Sequence, residues 1–326
     1  MNNKKTNIIF MGTPDFAVPS LRSLLNNGDV HLLAVVTQPD RPKGRKKVLT
    51  APPVKEEAIK HGLKVLQPEK IREHVQMISD LQPDLIVTAA YGQILPASLL
   101  DIPPLGCINV HASLLPKYRG GAPIQYALLR GEEKTGVTIM YMAEGLDTGD
   151  MISKVEIPIK KEDDAGTLFD TLSQAGSVLL QETLPKLIAN EITAEKQNDE
   201  AATYAKTLKR EDEKIDWEKG NVDIYNHIRA LSPWPISFTL YEGKVLKMGA
   251  SVHPEDAPAC SNEHAKPGTI LQFEDKGMEV KTGDGSIWIT HIQPAGKKML
   301  PVEQYMRGKK LEIGTILGGT DETAAK

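Results

Sequence analysis

Residues 7–37 read NIIFMGTPDFAVPSLRSLLNNGDVHLLAVVT. The stretch opens on a short continuous apolar run, Asn7–Gly12, and closes on a second, Val30–Thr37. Apolar runs of this length without polar alternation read as strands buried on both faces. Between them, Asp15 is placed to cap a helix reaching Leu25, Pro19 is tolerable near its first turn, and Gly28 ends it. A buried strand, a helix and a second buried strand form the repeat unit of a parallel sheet.

Working outward, the same alternation continues. Val54–His61 reads as a helix and Lys64–Leu66 as a short strand. Ile71–Leu81 reads as a helix with Ile71, Val75 and Ile78 on one face. Asp84–Ala90 (DLIVTAA) and Gly106–His111 (GCINVH) are further apolar strands, Ala122–Leu129 a helix and Gly136–Met142 (GVTIMYM) a strand. Ala165–Ala189 is a long helix behind Asp163 and Asp164. The fold class predicted is α/β, a Rossmann-like, mostly parallel sheet that binds ligands at the C-terminal ends of its strands. Near Glu191 the pattern stops. A polar stretch runs to Trp217, Val222–Leu231 reads as a short helix, and segments such as SFTLY-EGK-VLKMG and GTILQFED-KG-MEVKTGDG-SIWITHI read as hairpins of a small barrel or sandwich. The expected plan is a first domain over 1–190, a linker at 191–206, a small all-β domain over 207–318 and a disordered tail at 319–326.

Length and composition agree with two ordinary globular domains: 326 residues, 40% hydrophobic and 25% charged. Two cysteines, Cys107 and Cys260, cannot build a disulfide framework or a four-cysteine metal site. With no signal peptide and no membrane-length apolar run, the chain is expected in the reducing cytoplasm, away from membranes. A net charge of −4 argues against a protein coated in basic residues for nucleic acid. The first strand leads into FMGTPDFA, so the glycine-rich turn that lets a backbone approach a pyrophosphate is missing.

The chemistry gathers in two clusters. In GCINVHASLLPKYRGG (106–121), Asn109 and His111 are two apart on a strand and share one face. Alone, the pair could equally be satisfying backbone groups at the strand end. In EGLDTGD (144–150), Asp147 stands in a loop after a strand, which alone is an ordinary acidic turn. Together the residues suit acyl transfer to an amine through a tetrahedral intermediate: His111 as general acid or base, Asp147 to orient it or order a water, Asn109 to donate to a developing oxyanion. No Gly-x-Ser-x-Gly elbow competes for a nucleophile role, and Cys107, one step deeper in the strand, reads as a buried core thiol.

Asn109-x-His111-x-Ser113-Leu114-Leu115-Pro116, followed by Arg119-Gly120 and later Asp147-x-Gly149, resembles the signature of the folate-dependent formyltransferases. Phe10–Ala17 (FMGTPDFA) and Thr37–Pro42 (TQPDRP) sharpen the resemblance, which spans nearly the whole chain and is nearest to the branch whose acceptor is a charged tRNA. It implies a formyltransferase catalytic domain that binds 10-formyltetrahydrofolate without a metal, followed by an OB-like barrel that binds tRNA. It implies Asn109, His111 and Asp147 as the catalytic trio. Ser113, Leu114, Leu115 and Pro116 would line the folate site, with Tyr91, Gly92 and Gln93 near the pterin end. The implied reaction is direct attack of the α-amine of methionyl initiator tRNA on the formyl carbon. A small sugar or ribonucleotide amine is the alternative acceptor.

Arg41-Pro42-Lys43-Gly44-Arg45-Lys46-Lys47 places five cations in seven residues. Such a run is usually a solvated loop, but this one leaves the ligand-binding edge of the sheet, and the resemblance implies that it enters the tRNA acceptor stem. Arg41 is expected to discriminate, and Lys43, Arg45, Lys46 and Lys47 to meet phosphates. In the second domain Lys297, Lys298 and Arg307, with Lys309 and Lys310, could form a tRNA face, although from Lys206 onward 17 basic residues stand against 18 acidic ones. The family usually has Gly-Ala after Pro-Trp-Pro. Here Pro233-Trp234-Pro235 precedes Ile236-Ser237, which puts the local backbone in question. The resemblance leans to a monomer.

Overall fold

The computed structural model describes residues 5–44, 46–308 and 311–319. Arg45, Lys309, Lys310 and all but the first residue of the expected tail lie outside them. The chain divides into two compact units. The first takes the chain up to Pro123, Lys134–Pro158 and Phe169–Ala205; the second takes Ile124–Glu133, Ile159–Leu168 and the chain from Lys206.

The first unit is built on seven strands: β1 (Thr6–Gly12), β2 (Val30–Val36), β3 (Val65–Leu66), β4 (Leu85–Ala89), β5 (Cys107–His111), β6 (Lys134–Tyr141) and β7 (Met151–Pro158). Their order is β7-β6-β5-β4-β1-β2-β3. The five strands from β5 to β3 are parallel, and β6 and β7 are antiparallel additions on the β5 side. The Rossmann-like, mostly parallel sheet is therefore present. The apolar runs became central strands because each is covered on both faces; Ile8, Ile9, Phe10 and Met11 are all fully buried. Strand β7 (MISKVEIP) has no continuous apolar run, since it is an edge strand with alternating burial, and the apolar-run criterion passes over it.

Three local expectations are corrected. Asp15 caps nothing: Pro14 is the capping residue of a single 3₁₀ turn, Asp15–Ala17, and the helix follows at Val18–Leu25. The helix expected over 71–81 is broken into a 3₁₀ turn, Ile71–Glu73, and a short helix, Val75–Ser79, because His74 between them has non-helical dihedrals (φ −127°, ψ 25°). The basic loop is a hairpin, in which Arg41–Lys43 pairs with Val48–Thr50.

The stretch 191–206 also carries structure of the first unit. Met151 and Glu195 form a two-way backbone bridge, and Tyr204–Ala205 pairs in parallel with Arg119–Gly120. This segment has no hydrophobic period; backbone bonds, the buried Gln197 and Ala205, and the Asp199 and Thr203 side chains hold it.

The second unit is an antiparallel sheet of β8 (Phe238–Tyr241), β9 (Lys244–Ser251), β10 (Ile270–Glu274), β11 (Gly277–Lys281) and β12 (Ser286–Pro294), in the order β8-β9-β12-β11-β10. Leu300–Pro301 adds to β12. The β8–β9 turn is Glu242-Gly243, both at positive φ (48° and 69°), which matches the twist of the flanking strands. Register irregularities between Met248 and Ser251 let β9 curl. Trp217, Ile224, Ile228, Met248, Val280 and Ile289 fill the core of this half-barrel.

The question raised by Ile236 has a physical answer. Its φ is +74°, in the left-handed region that a β-branched residue rarely occupies. Its N–H donates to the Leu231 carbonyl at 2.8 Å, so the turn keeps a conformation suited to glycine. Ile236→Gly is expected to relieve about 1–3 kcal/mol of backbone strain, less about 0.5–1 kcal/mol for the greater freedom of glycine in the unfolded chain. The measurement is the thermal midpoint of the purified variant, which should rise; a fall would mean that Ile236 contributes more by packing than it costs in strain.

Candidate active site

Asn109 and His111 lie at the C-terminal end of β5, the last parallel strand. The Asn109 Oδ1 accepts from the Thr88 hydroxyl at 2.8 Å, the shortest of three contacts that hydroxyl makes; the others are the Ile108 carbonyl at 3.1 Å and the Met142 sulfur at 3.3 Å. Thr88 is buried on the neighbouring strand β4. Because its bond occupies the amide oxygen, the Asn109 NH₂ is the end offered to a ligand.

His111 is 6% exposed. Its Nε2 is 3.1 Å from the Tyr118 carbonyl. A carbonyl only accepts, so Nε2 carries a proton, and in the neutral ring the lone pair is at Nδ1. Nδ1 faces Asp147 Oδ2 at 3.8 Å, near enough for charge to matter and too far for a hydrogen bond. The same carboxylate oxygen accepts from the Gly120 N–H at 2.8 Å. Tyr118 (φ 62°) and Asp147 (φ 51°), the two residues that address the imidazole, are both non-glycines in the left-handed region. Such conformations persist only where surrounding bonds impose them. Two glycines make the packing possible: a Cβ on Gly149 would stand 1.9 Å from the Tyr141 carbonyl oxygen, and one on Gly120 would stand 2.5 Å from that of Ala205.

Cys107 lies deeper in β5, and burial pushes its thiol up to about 12. A thiol held protonated at neutral pH is no nucleophile.

The residues expected at a folate divide by what their side chains do. The Ser113 hydroxyl is spent on the Lys117 carbonyl at 2.6 Å. Leu115 is buried with Met140 and Met151, and a Cβ on Gly136 would strike the Leu114 side chain. Pro116 accepts at its carbonyl from the Thr203 N–H. Tyr91 is a core residue whose phenol burial pushes up to about 12; its carbonyl accepts from Thr13 Oγ1 and Gln38 Nε2. Gln93 ties the 68–71 turn through the Ile71 N–H and the Pro68 and Glu69 carbonyls. Gly92, at φ 88°, has no side chain to commit. Exposed apolar groups stand on loops that carry site residues: Ile94 (80% exposed), next to Gln93, and Leu146 (55%), next to Asp147. Among the described residues no group of His, Cys, Asp and Glu is arranged to hold a metal ion.

On the hairpin, Lys43, Lys46 and Lys47 are exposed, and Arg41 pairs with Glu69 at 3.0 Å, both side chains in solvent. The hairpin root is pinned: Lys55 reaches both Asp40 oxygens at 2.8 Å, and Gln67 donates to Asp40 and to the Gln38 carbonyl. In the second unit Lys297 and Lys298 are exposed, and Arg307 pairs with Glu303.

Family models for "Formyl transferase" and "Formyl transferase, C-terminal domain" match residues 4–184 and 207–310. The chain is 55% identical over 320 residues to the methionyl-tRNA formyltransferase of Bacillus subtilis (strain 168), covering 97% of this chain and 99% of that one. It is 56% identical over 322 residues to that of Geobacillus thermodenitrificans, with the same coverage. The chain belongs to the methionyl-tRNA formyltransferase family. Solved structures share the formyltransferase fold at lower identity. A 4-N formyltransferase from Francisella tularensis aligns with a TM-score of 0.62 and 18% identity over 77% of this chain and 99% of that one. HypX from Aquifex aeolicus, in complex with tetrahydrofolic acid, aligns with a TM-score of 0.62 and 16% identity over 96% of this chain and 51% of that one.

In this formyltransferase two side chains beside the site escape a reading of residue types. Thr88 is the one hydroxyl in an otherwise apolar run, LIVTA, and that oddity was the available signal. Gln197, whose NH₂ donates to the Asp147 and Gly149 carbonyls at 2.8 and 2.7 Å, lies in a polar stretch that offers no signal.

Proposed function

We infer that the chain transfers the formyl group of 10-formyltetrahydrofolate to the α-amine of methionyl initiator tRNA, supplying N-formylmethionyl-tRNA for translation initiation. Likeness along 97% of the chain to methionyl-tRNA formyltransferases carries this reading. The donor set fits the folate: an amide NH₂ with its oxygen already engaged, an imidazole lone pair, and exposed Ile94 and Leu146 for a flat, partly apolar ligand. The folate supplies a formyl carbon activated on nitrogen. The Asn109 NH₂ donates to the formyl oxygen as charge gathers there. As the amine bonds to the formyl carbon and the folate nitrogen leaves it, His111 takes the amine's proton at Nδ1 and returns it to the departing nitrogen, and the Asp147 carboxylate steadies the imidazolium in between. The α-amine of an aminoacyl group has a pKa near about 7.7–8.0 in model compounds, so little help is needed to free its lone pair. Gly92, Leu114 and Pro116, which commit no side-chain polar group elsewhere, are the folate contacts this reading favours from the two loops. The cationic hairpin, with Arg41, Lys43, Arg45, Lys46 and Lys47, meets the acceptor arm, and Lys297, Lys298 and Arg307 are further candidates for phosphates. A small sugar or ribonucleotide acceptor would need neither the hairpin nor a second domain. The enzyme acts as a monomer in the cytoplasm on this reading.

The test supplies the purified protein with donor labelled at the formyl carbon, charged initiator tRNA and, in parallel, free methionine and an amino sugar nucleotide. Label is expected on the tRNA. Faster labelling of the sugar would overturn the acceptor assignment.

A further inference from the structure

Asp147 is gripped at both ends, and one grip comes from the stretch expected to be a linker. Gln197 is 5% exposed. Its Oε1 accepts from Arg119 Nε at 3.0 Å and from Nη2 at 2.8 Å. Its Nε2 donates to the Asp147 carbonyl at 2.8 Å and to the Gly149 carbonyl at 2.7 Å. The orientation of this amide follows from its partners: a guanidinium only donates and carbonyls only accept, so the oxygen must face Arg119. All four hydrogen-bonding positions of the amide are used. Arg119 is 2% exposed, and its Nη2 also meets Asp199 Oδ1 at 2.7 Å, on a carboxylate that is 75% exposed.

The contacts close into a ring. Arg119 holds Gln197, Gln197 holds the backbone of 147–149, and Gly120, bonded covalently to Arg119, holds the Asp147 carboxylate through its N–H at 2.8 Å. The other side of the ring is the parallel pairing of Arg119–Gly120 with Tyr204–Ala205. An aspartate at φ 51° with its carboxylate 3.8 Å from an imidazole is held there from outside, since its own backbone preference is to leave. A buried arginine facing a single surface carboxylate contributes poorly to stability, because desolvation of the guanidinium offsets the attraction. Its place in this ring gives it another use.

We propose that Gln197 and Arg119 are positioning residues for formyl transfer, fixing the 147–149 loop so that the Asp147 carboxylate faces His111. The proposal rests on the assignment of His111 and Asp147 as the reacting pair. Glutamine is the side chain suited to position 197 because it alone at this length accepts from a guanidinium and donates to two carbonyls. Glutamate would keep the first function and point a carboxylate oxygen at two carbonyl oxygens. Methionine would keep the volume and make neither bond.

The experiment compares Gln197→Glu, Gln197→Met, Asp147→Asn and the double variant Gln197→Glu/Asp147→Asn in the full chain. It measures kcat and both KM values with 10-formyltetrahydrofolate and charged initiator tRNA, per folded molecule. The two Gln197 variants are expected to lose about 10- to 100-fold in kcat with each KM within about threefold, since the loop displaces the Asp147 carboxylate from His111 more than it disturbs the binding surfaces. The double variant is expected to be no slower than Asp147→Asn alone, as residues acting through one group are not additive. Gln197→Met guards against a folding failure of the charged variant. A kcat within twofold of the parent in either soluble variant overturns the proposal, as does a loss that adds in full to that of Asp147→Asn, or a lower thermal midpoint with kcat per folded molecule unchanged. If Asp147→Asn is itself near normal, the catalytic assignment fails instead, which separates the two outcomes.

Discussion

His111→Ala slows formyl transfer by about 10²–10⁴-fold, the usual contribution of a positioned general acid or base, while the fold persists. The side chain is buried, yet it meets only backbone at Tyr118 and, at 3.8 Å, the Asp147 carboxylate. Its loss removes proton handling and leaves Asp147 fixed by Gly120. Asp147→Asn is the sharper companion: the amide is the same size, and its backbone grip through Gln197 is untouched. The carboxylate charge is what disappears, so kcat is expected to fall with little change in either KM. Steady-state kinetics on charged tRNA with both variants checks this, alongside circular dichroism to confirm folding. Near-normal turnover in either variant would remove that residue from the catalytic assignment.

Neutralising Lys43, Arg45, Lys46 and Lys47 together has the largest expected effect on binding. If each meets one phosphate, the slope of log K against log salt falls by about 0.7–0.9 for each cation removed. Four contacts then make the slope shallower by about 3. At low salt the affinity for charged tRNA falls by about 10²–10³-fold, and the difference between variant and parent narrows as salt rises. Turnover at saturating tRNA should change far less, because the hairpin carries none of the groups assigned to proton transfer. Binding titrations at several salt concentrations provide the check. An unchanged slope would mean that the hairpin cations stay solvated. The Asp40–Lys55–Gln67 contacts at the root stay intact in this variant, so the hairpin keeps its place.

The hairpin also revises the meaning of the net charge. A total of −4 seemed to oppose nucleic acid, but a total is blind to placement. Cations gathered within seven residues can dominate the field within a Debye length, about 8–10 Å at ordinary salt, whatever the sign of the sum. Net acidity limits adhesion to nucleic acid in general and leaves binding to a placed patch.

How far the site could be read from the chain varied with the kind of contact. Asn109 and His111 were legible as neighbours because a strand has period two, which puts them on one face. That Asp147 faces His111 is not a matter of period: the 142–150 loop turns back through a close approach that only Gly149 permits, and spacing does not encode the turn. Thr88 escaped notice, although a lone hydroxyl in an apolar run was a signal. Gln197 was illegible, since its burial depends on the pairing of Tyr204–Ala205 with Arg119–Gly120, 85 residues apart in the chain. The helix expected over 71–81 failed for a related reason: apolar spacing at Ile71, Val75 and Ile78 is satisfied equally by two short turns with a break at His74.

By itself, the sequence of this protein determined where buried strands lie, that most of them run parallel, that a small antiparallel barrel or sandwich follows, and which reaction class its motifs serve. Those properties depend on hydrophobic period and on residue type, both local. Only the tertiary structure decided that the sheet runs β7-β6-β5-β4-β1-β2-β3 with two antiparallel strands added beyond β5. It alone decided that Thr88 turns the Asn109 amide, and that a polar segment near residue 197 holds the loop of Asp147. The physical reason is common to all three: each depends on hydrogen bonds between residues far apart in the chain, and a hydrogen bond has a partner and a direction that hydrophobic patterning does not carry.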